Sequence, residues 1–317
     1  MKKYTAIHDI TDLHAWIEEA RHLKKDPFAF EHLGKRKTLC MLFFNPSLRT
    51  RISTEKAARN LGMEVIILNV GSDSWVLEFE DGTVMNAGSS EHIREAAGVL
   101  SQYADVLAVR AFPELKSRTA DEDERILTSF IQHASIPVVN MESATAHPLQ
   151  ALSDAITISE QQKTSRPKVV LSWAPHPKAL PHAVANSFVQ IMKRMPVDLT
   201  ITHPEGYDLN PEVTGAIPIN YNQEEALQEA DFVYVKNWSS YLDYGKVLED
   251  PQGVHAKWIM TKEKLGKAQF MHCLPVRRNV VVEDAVLDST QSLVLEQANN
   301  RTYAAQLALK KILADEI

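Results

Sequence analysis

A continuous apolar run that stops at an Asn-Pro pair opens residues 38–62, and it limits the architecture more than any other stretch. Leu39-Cys40-Met41-Leu42-Phe43-Phe44 has no polar alternation. It therefore reads as a strand buried on both faces, the condition of strands in helix-covered parallel sheets. Asn45-Pro46 ends it. Ser47 then stands where it can cap a helix in which Ile52, Ala57, Ala58 and Leu61 share a side, with Gly62 beyond the end. The junction Ser47-Leu48-Arg49-Thr50-Arg51 offers helix N–H groups without intrahelical partners, together with hydroxyls and guanidiniums. Such a set suits a phosphate-sized anion. A capped helix with solvated arginines is the plainer alternative; two arginines beside a buried strand end favour the anion.

The chain has 317 residues, more than one hydrophobic core usually organises, so two domains are expected. A net charge of −7 argues against a nucleic-acid partner, since phosphate backbones demand a basic face. No apolar run is long enough to span a membrane, and the first residues lack the apolar core of a signal peptide. Cys40 and Cys273 each lie in an apolar, strand-like run, and read as reduced thiols of a cytoplasmic protein. The 12 histidines are scattered, with neither Cys-x-x-Cys nor His-Glu-x-x-His spacing, so no metal site is expected.

Along the chain, helices are expected at 9–23, from Ser89 to about 103, and at 121–133, with strands at 64–70, 105–109 and 137–140. Residues 71–88 read as a polar loop that carries Trp75. The series then restarts, with helices at 147–162, 181–195 and 224–229 and strands at 168–173, 197–202, 231–235 and 270–275. Residues 300–317 have apolar residues at helical spacing. Strands alternating with helices imply parallel sheets covered on both faces. The expected fold is α/β, with two doubly wound parallel-sheet domains. The first covers 1–142, with a C-terminal helix in 290–317 packing back on it; the second covers 143–289. Ligands of such sheets lie beyond the carboxyl ends of the strands. The polar residues at strand ends are those of 47–51, Arg110, Glu142, His176, Lys236 and the stretch from Cys273. A site fed from both series is expected in the interdomain cleft.

Each of these has an ordinary reading. Arg110 can be a surface arginine, and His147-Pro148-Leu149-Gln150 a helix start with proline favoured in its first turn. As a unit, an arginine, a histidine and an amide can hold a developing oxyanion during acyl transfer. In His272-Cys273-Leu274-Pro275-Val276-Arg277 the cysteine reads as a small buried residue. Adjacency in a strand puts His272 on the opposite face, which argues against a Cys–His hydrolase. Lys236 and Arg277 can each bind a carboxylate, and Glu142 an ammonium.

Ser47-x-Arg49-Thr50-Arg51, His147-Pro148-x-Gln150 and His272-Cys273-Leu274-Pro275, in this order across nearly the whole chain, resemble the transcarbamylase (carbamoyltransferase) family. His-Cys-Leu-Pro marks the ornithine-type branch of that family, as opposed to the aspartate-type branch. The segments at Ser74-Trp75, 173–177, 183–187, 236–238 and 275–279 resemble the branch that acts on N-acylated ornithine. An Asp-rich loop that holds a free α-amine in ordinary ornithine transcarbamylases is replaced here by Val184-Ala185-Asn186-Ser187.

The resemblance implies a carbamoyltransferase of arginine biosynthesis that needs no metal, nucleotide or other cofactor. It implies that Ser47, Leu48, Arg49 and Thr50 bind the phosphate of carbamoyl phosphate, and that Trp75 reaches that phosphate from a neighbouring subunit of a homotrimer with shared sites. Arg110, His147, Gln150 and Arg301 would surround the carbamoyl group, with Cys273 and the carbonyl of Leu274 near its amine and near the attacking nitrogen. Arg110, His147, Cys273 and Arg301 would be the catalytic set. Glu142, His176, Lys236 and Arg277 would hold the acylornithine. Ser90 departs from both close patterns: the acetyl-type branch carries Glu there and the succinyl-type branch Pro. A Glu would repel the extra carboxylate of a succinyl group, and Ser90 does not. N-succinylornithine is therefore the expected acceptor, ahead of N-acetylornithine and then ornithine. Outside enzymes, the alternative is a sensor of a phosphorylated metabolite.

Overall fold

The apolar run after Thr38 becomes a central strand, as its lack of alternation requires. In the computed structural model, which describes residues 3–314, it forms β2 (Thr38–Phe43) and has parallel neighbours on both sides. The chain forms two units. One takes in the chain to Pro113, Thr119–Leu152 and the chain from Arg301; the other is Glu114–Arg118 with Ser153–Asn300. The units thus part at 152/153 and 300/301, where the sequence reading divides at 142/143 and 289/290.

The first unit holds β1 (Lys3–Tyr4), β2, β3 (Glu64–Asn69), a separate parallel pair β4 (Leu77–Glu78) and β5 (Glu91–His92), then β6 (Val106–Arg110) and β7 (Val138–Glu142). Its five-stranded sheet is parallel throughout, in the order β1-β7-β6-β2-β3. The helices are α1 (Leu13–Lys25), α2 (Arg49–Asn60), α3 (Ile93–Tyr103), α4 (Arg118–Glu122), α5 (Arg125–His133) and the start of α6 (Pro148–Gln161). Leu42, Leu107, Val109 and Phe130 are among the buried residues of its core.

The second unit has another five-stranded parallel sheet, built from β8 (Lys168–Trp173), β9 (Asp198–Thr202), β10 (Ile219–Asn220), β11 (Phe232–Lys236) and β12 (Gln269–Met271), in the order β10-β9-β8-β11-β12. Around it run α7 (Ala183–Met192), the single-turn helices α8 (Pro211–Thr214), α9 (Gln223–Leu227), α10 (Lys262–Leu265) and α11 (Asp284–Leu287), and the start of α12 (Val294–Leu313). Val170, Val233, Val235 and Phe270 form the middle of its core. The two doubly wound parallel sheets are those expected.

Several local expectations need correction. Ala57, Ala58 and Leu61 of the α2 stretch are buried, but Ile52 is 56% exposed. Five residues before Ala57 is about 140° round a helix, so Ile52 cannot share that stripe. Gly62 does follow the helix, at φ 81, and a Cβ there would lie 2.3 Å from the Glu31 carbonyl oxygen. The helix expected from Ser89 begins only at Ile93, because Glu91 and His92 pair with β4. His92 caps it by accepting from the Arg94 N–H at 3.3 Å. The helix expected at 121–133 is broken at Glu124, whose φ of 50 cannot continue it. The strand expected at 270–275 ends at Met271, ahead of a turn in which Leu274 has φ 55. Residues 315–317 of the expected C-terminal helix lie outside the described residues. Among the described residues no helix is long and apolar enough to cross a membrane.

Candidate active site

In each sheet the strand order reverses once, and several of the expected site residues lie at strand ends beside that point. In the first unit β2 leads to β3 on one side and β6 lies on the other, with Phe43 level with Arg110. In the second, β8 leads to β9 on one side and β11 lies on the other, with Trp173 level with Lys236. Helices above and below leave a crevice at such a reversal, beyond the carboxyl ends of the strands.

At the first reversal the chain leaves β2 through Asn45-Pro46 and enters α2. The helix starts at Arg49 with Leu48 in the cap position, so Ser47 stands one residue before the expected place, but its hydroxyl still accepts from the Thr50 N–H at 3.3 Å. Leu48 is exposed and contributes backbone rather than packing. Arg110, the last residue of β6, is buried. Its Nη1 donates to the carbonyls of Asn45 at 2.9 Å and Pro46 at 2.7 Å, which fixes the loop leading into α2. Its Nε and Nη2 meet the Glu142 carboxylate at 3.3 and 3.2 Å. That accounts for four of the five guanidinium N–H groups and leaves one on Nη2. Burial pulls Arg110 below the usual guanidinium value; Glu142 opposes this and Arg49, a neighbouring cation, adds to it.

Glu142 also faces His147, whose Nε2 lies 3.4 Å from the same oxygen. His147 precedes α6, and its carbonyl accepts from Gln150 and Ala151, both at 3.1 Å. Gln150 in turn accepts from Arg301 Nη1 at 3.0 Å, while Arg301 Nη2 donates to the Thr50 hydroxyl at 2.7 Å. The first unit thus brings together Ser47, Arg49, Thr50, Arg110, Glu142, His147, Gln150 and Arg301. Three guanidiniums against one carboxylate favour an anion at the α2 N-terminus. Arg51 leaves the cluster: it bonds Asn69 and lies over the Phe43 ring, 4.7 Å from its centroid.

At the second reversal Arg277 Nε donates to His176 Nε2 at 3.1 Å. The other ring nitrogen of His176 lies 2.8 Å from the Lys178 carbonyl and 3.2 Å from the Lys178 N–H; with Nε2 accepting from Arg277, a neutral ring carries its proton on Nδ1. Burial lowers the His176 pKa and the nearby cations Arg277, Lys236 and Lys178 lower it further, against the Lys178 carbonyl. His176, Lys236 and Arg277 are therefore one cationic group holding a neutral imidazole. Cys273 is a buried thiol on the turn after β12. Glu142 belongs to the first unit, paired with Arg110 and His147, rather than to this group.

Trp75 and Ser90 lie in neither cluster. Trp75 is 56% exposed and its indole N–H donates to Glu91 at 2.7 Å. Ser90 is exposed, and its N–H donates to the Val76 carbonyl at 3.1 Å. It caps no helix.

Sequence reasoning missed Glu124. Its carboxylate accepts from the hydroxyls of Ser143 at 2.7 Å and Thr145 at 2.6 Å, and from the N–H groups of Thr145 at 2.6 Å and Ala144 at 3.2 Å. It clamps the turn that joins Glu142 to His147. In the sequence it is one acid among Asp121, Glu122 and Asp123, with nothing to single it out.

The carbamoyl-P binding domain model of the aspartate/ornithine carbamoyltransferases matches residues 2–160, and the Asp/Orn binding domain model matches 181–311. The chain is 46% identical to an N-succinylornithine carbamoyltransferase of Bacteroides fragilis (strain 638R), over 99% of each chain. It is 36% identical to an N-acetylornithine carbamoyltransferase of Xanthomonas axonopodis pv. citri (strain 306), over 96% of this chain and 94% of the relative. Among solved structures, it resembles an N-acetyl-L-ornithine transcarbamylase in which one glutamate is replaced by serine, complexed with carbamyl phosphate and N-succinyl-L-norvaline. That match has a TM-score of 0.89 at 34% identity and covers 98% of this chain and 99% of the other. With both domain models matched in order and full-length relatives at this identity, the chain belongs to the aspartate/ornithine carbamoyltransferase family and is a carbamoyltransferase.

Proposed function

We propose that the protein transfers the carbamoyl group of carbamoyl phosphate to the δ-amine of N2-succinyl-L-ornithine, giving N-succinylcitrulline and phosphate, in the biosynthesis of arginine in the cytoplasm. The observation that carries the donor half is the cluster of Arg49, Arg110 and Arg301 around the start of α2. Phosphate takes the α2 N–H groups, the Ser47 and Thr50 hydroxyls and Arg49. The carbamoyl oxygen takes His147, Arg301 and the remaining Nη2 N–H of Arg110, with Gln150 holding Arg301 in place.

The acceptor belongs to the second unit. Lys236 and Arg277, with neutral His176 between them in charge, take the carboxylates of the acylornithine, and Cys273 with the Leu274 carbonyl faces the amine. The δ-amine, an ammonium of pKa roughly 10 in water, attacks as the free base; the cationic donor site disfavours its charged form. Its nitrogen forms a bond to the carbamoyl carbon, the oxyanion develops toward the donors named, and the bond to the phosphate oxygen breaks. Phosphate leaves with the bond pair and takes the amine proton, so no enzyme nucleophile is needed. Rate enhancement comes from orientation of two bound substrates and from fixed charge.

Succinyl is preferred over acetyl because Ser90 stands where the acetyl-type pattern has a glutamate, and because a solved acetyl-type neighbour with one glutamate made serine holds a succinyl compound. Trp75 completes the phosphate site of a neighbouring subunit in a homotrimer, in keeping with its exposure and that of Val76 and Val84. The test is kcat/KM for both acylornithines on the native protein and on Ser90→Glu. The native protein favours succinylornithine and the variant loses that substrate selectively. A native preference for acetylornithine, or a variant that treats both substrates as the native does, overturns the acyl assignment.

A further inference from the structure

The turn that carries Cys273 and Leu274 is held in an uncommon backbone state. Leu274 has φ 55, which a residue with a branched side chain adopts only where its surroundings over-determine it. The turn's own partner is His272, whose Nδ1 accepts from the Leu274 N–H at 2.8 Å. His272 is buried, and its backbone N–H donates to Gln297 Oε1 at 2.9 Å. Gln297, on α12, donates through Nε2 to Asp154 Oδ1 at 2.9 Å. The Gln297 carbonyl also accepts from the Ser153 hydroxyl at 2.7 Å. Asp154 and Gln297 are both buried, at 0% and 1% exposure, so water does not substitute for either bond. All of these residues belong to the second unit.

The order of the links has a chemical reason. The two ends of a glutamine amide have nearly the same shape, so packing alone does not choose between them. In the structure the NH2 end faces Asp154 Oδ1, and a backbone N–H can only donate. That leaves the oxygen, and not the nitrogen, for the His272 N–H. We propose that Gln297, with its amide oriented by Asp154, is a positioning residue that sets the Cys273–Leu274 turn through His272 for the transfer reaction. This rests on the functional reading above, in which that turn faces the attacking amine. Tyr234 adds a lateral contact: burial, Asp154 and Cys273 together push its phenol well above its ordinary value.

Gln297→Leu keeps similar bulk and removes both links. Asp154→Asn keeps an acceptor but weakens its hold on the Gln297 NH2 group, and it serves if the leucine variant does not fold. The measurements are kcat and KM for each substrate, thermal midpoint, and the rate of Cys273 alkylation by iodoacetamide, with buried Cys40 as the reference thiol in the same chain. Gln297→Leu lowers kcat by about 10- to 100-fold, the scale of a misplacement near 1 Å, and leaves the KM for carbamoyl phosphate within about twofold. Asp154→Asn gives a smaller fall in the same direction. In both, Cys273 alkylation changes relative to Cys40 at temperatures where the variants are folded. Native kcat in both variants, or alkylation that changes equally at the two cysteines, overturns the proposal. If the native protein transfers no carbamoyl group to any acylornithine, the functional reading fails, while the alkylation ratio still decides whether Gln297 positions the turn.

Discussion

Removing the Arg110 guanidinium separates its two roles. The side chain is 7% exposed and faces a Glu142 side chain that is 12% exposed. Arg110→Ala takes the guanidinium from that carboxylate, which His147 Nε2 still faces at 3.4 Å, and deprives the Asn45 and Pro46 carbonyls of a donor. Breaking one side of a buried pair costs about 3–5 kcal/mol. For a cooperative unit of this size that lowers the thermal midpoint by about 6–20 °C. Adding Glu142→Gln removes the stranded charge, so the double variant regains about 2 kcal/mol or more of the loss. Activity does not follow: a lost oxyanion donor lowers kcat by about a hundredfold or more, and the second change restores none of it. Calorimetry and steady-state kinetics on the single and double variants measure both. A double variant as unstable as the single one refutes the charge pairing. A single variant with kcat within tenfold of the native refutes the place given to Arg110 in the reaction.

Arg49→Ala raises the KM for carbamoyl phosphate more than it lowers kcat, the opposite of Arg110→Ala; equal, small effects from both mean that the donor site is misplaced. Trp75→Ala weakens carbamoyl phosphate binding and leaves the thermal midpoint nearly unchanged, and an active monomer in sedimentation contradicts the shared site. Glu124→Ala strips the acceptor from the 143–145 turn and costs about 2 kcal/mol in denaturant unfolding, given that freed donors partly rehydrate; it also lowers kcat, because Glu142 and His147 flank that turn. Burial, as the first cause, depresses the pKa of His176, His182 and His203 in the folded protein. Below the unfolded value of about 6.5 the unfolded chain therefore binds protons that the native one refuses. The stability these histidines contribute is complete above that pH and is lost as pH falls toward their folded values, so thermal midpoints that rise between pH 7 and pH 5 contradict their burial as neutral rings.

What the sequence made legible was local. The run at 39–44 and its Asn-Pro stop specify β2 and the entry to α2 within a dozen residues, and Gly62 marks the helix end because only a residue without Cβ clears the Glu31 carbonyl. Arg110, Lys236 and His147 were found as polar residues at the ends of apolar strands or the start of a helix, and the parallel fold assigns meaning to that position. What stayed hidden depends on partners far away in the chain. The two-residue strands β4 and β5 carry no periodicity of their own, and each exists only because the other lies beside it. Glu124 leaves the helical region because its carboxylate serves a turn some twenty residues on. Ile52 is apolar but stands about 140° round the helix from Ala57, and the angle decides that it faces outward. The link from Asp154 through Gln297 to His272 joins residues more than a hundred positions apart. Glu142 faces Arg110 and His147, contacts that its place at a strand end does not reveal.

The most direct test of the account is competition in one reaction. Purified protein is given carbamoyl phosphate labelled at its carbonyl carbon, with equal N-succinylornithine, N-acetylornithine and ornithine, and the ureido products are separated by mass. Label appears chiefly in N-succinylcitrulline, with phosphate released in equal amount, and Arg110→Ala forms product at about a hundredth of the native rate or less. Label mainly in citrulline or N-acetylcitrulline contradicts the acceptor, and phosphate released without any labelled ureido product contradicts the transfer itself.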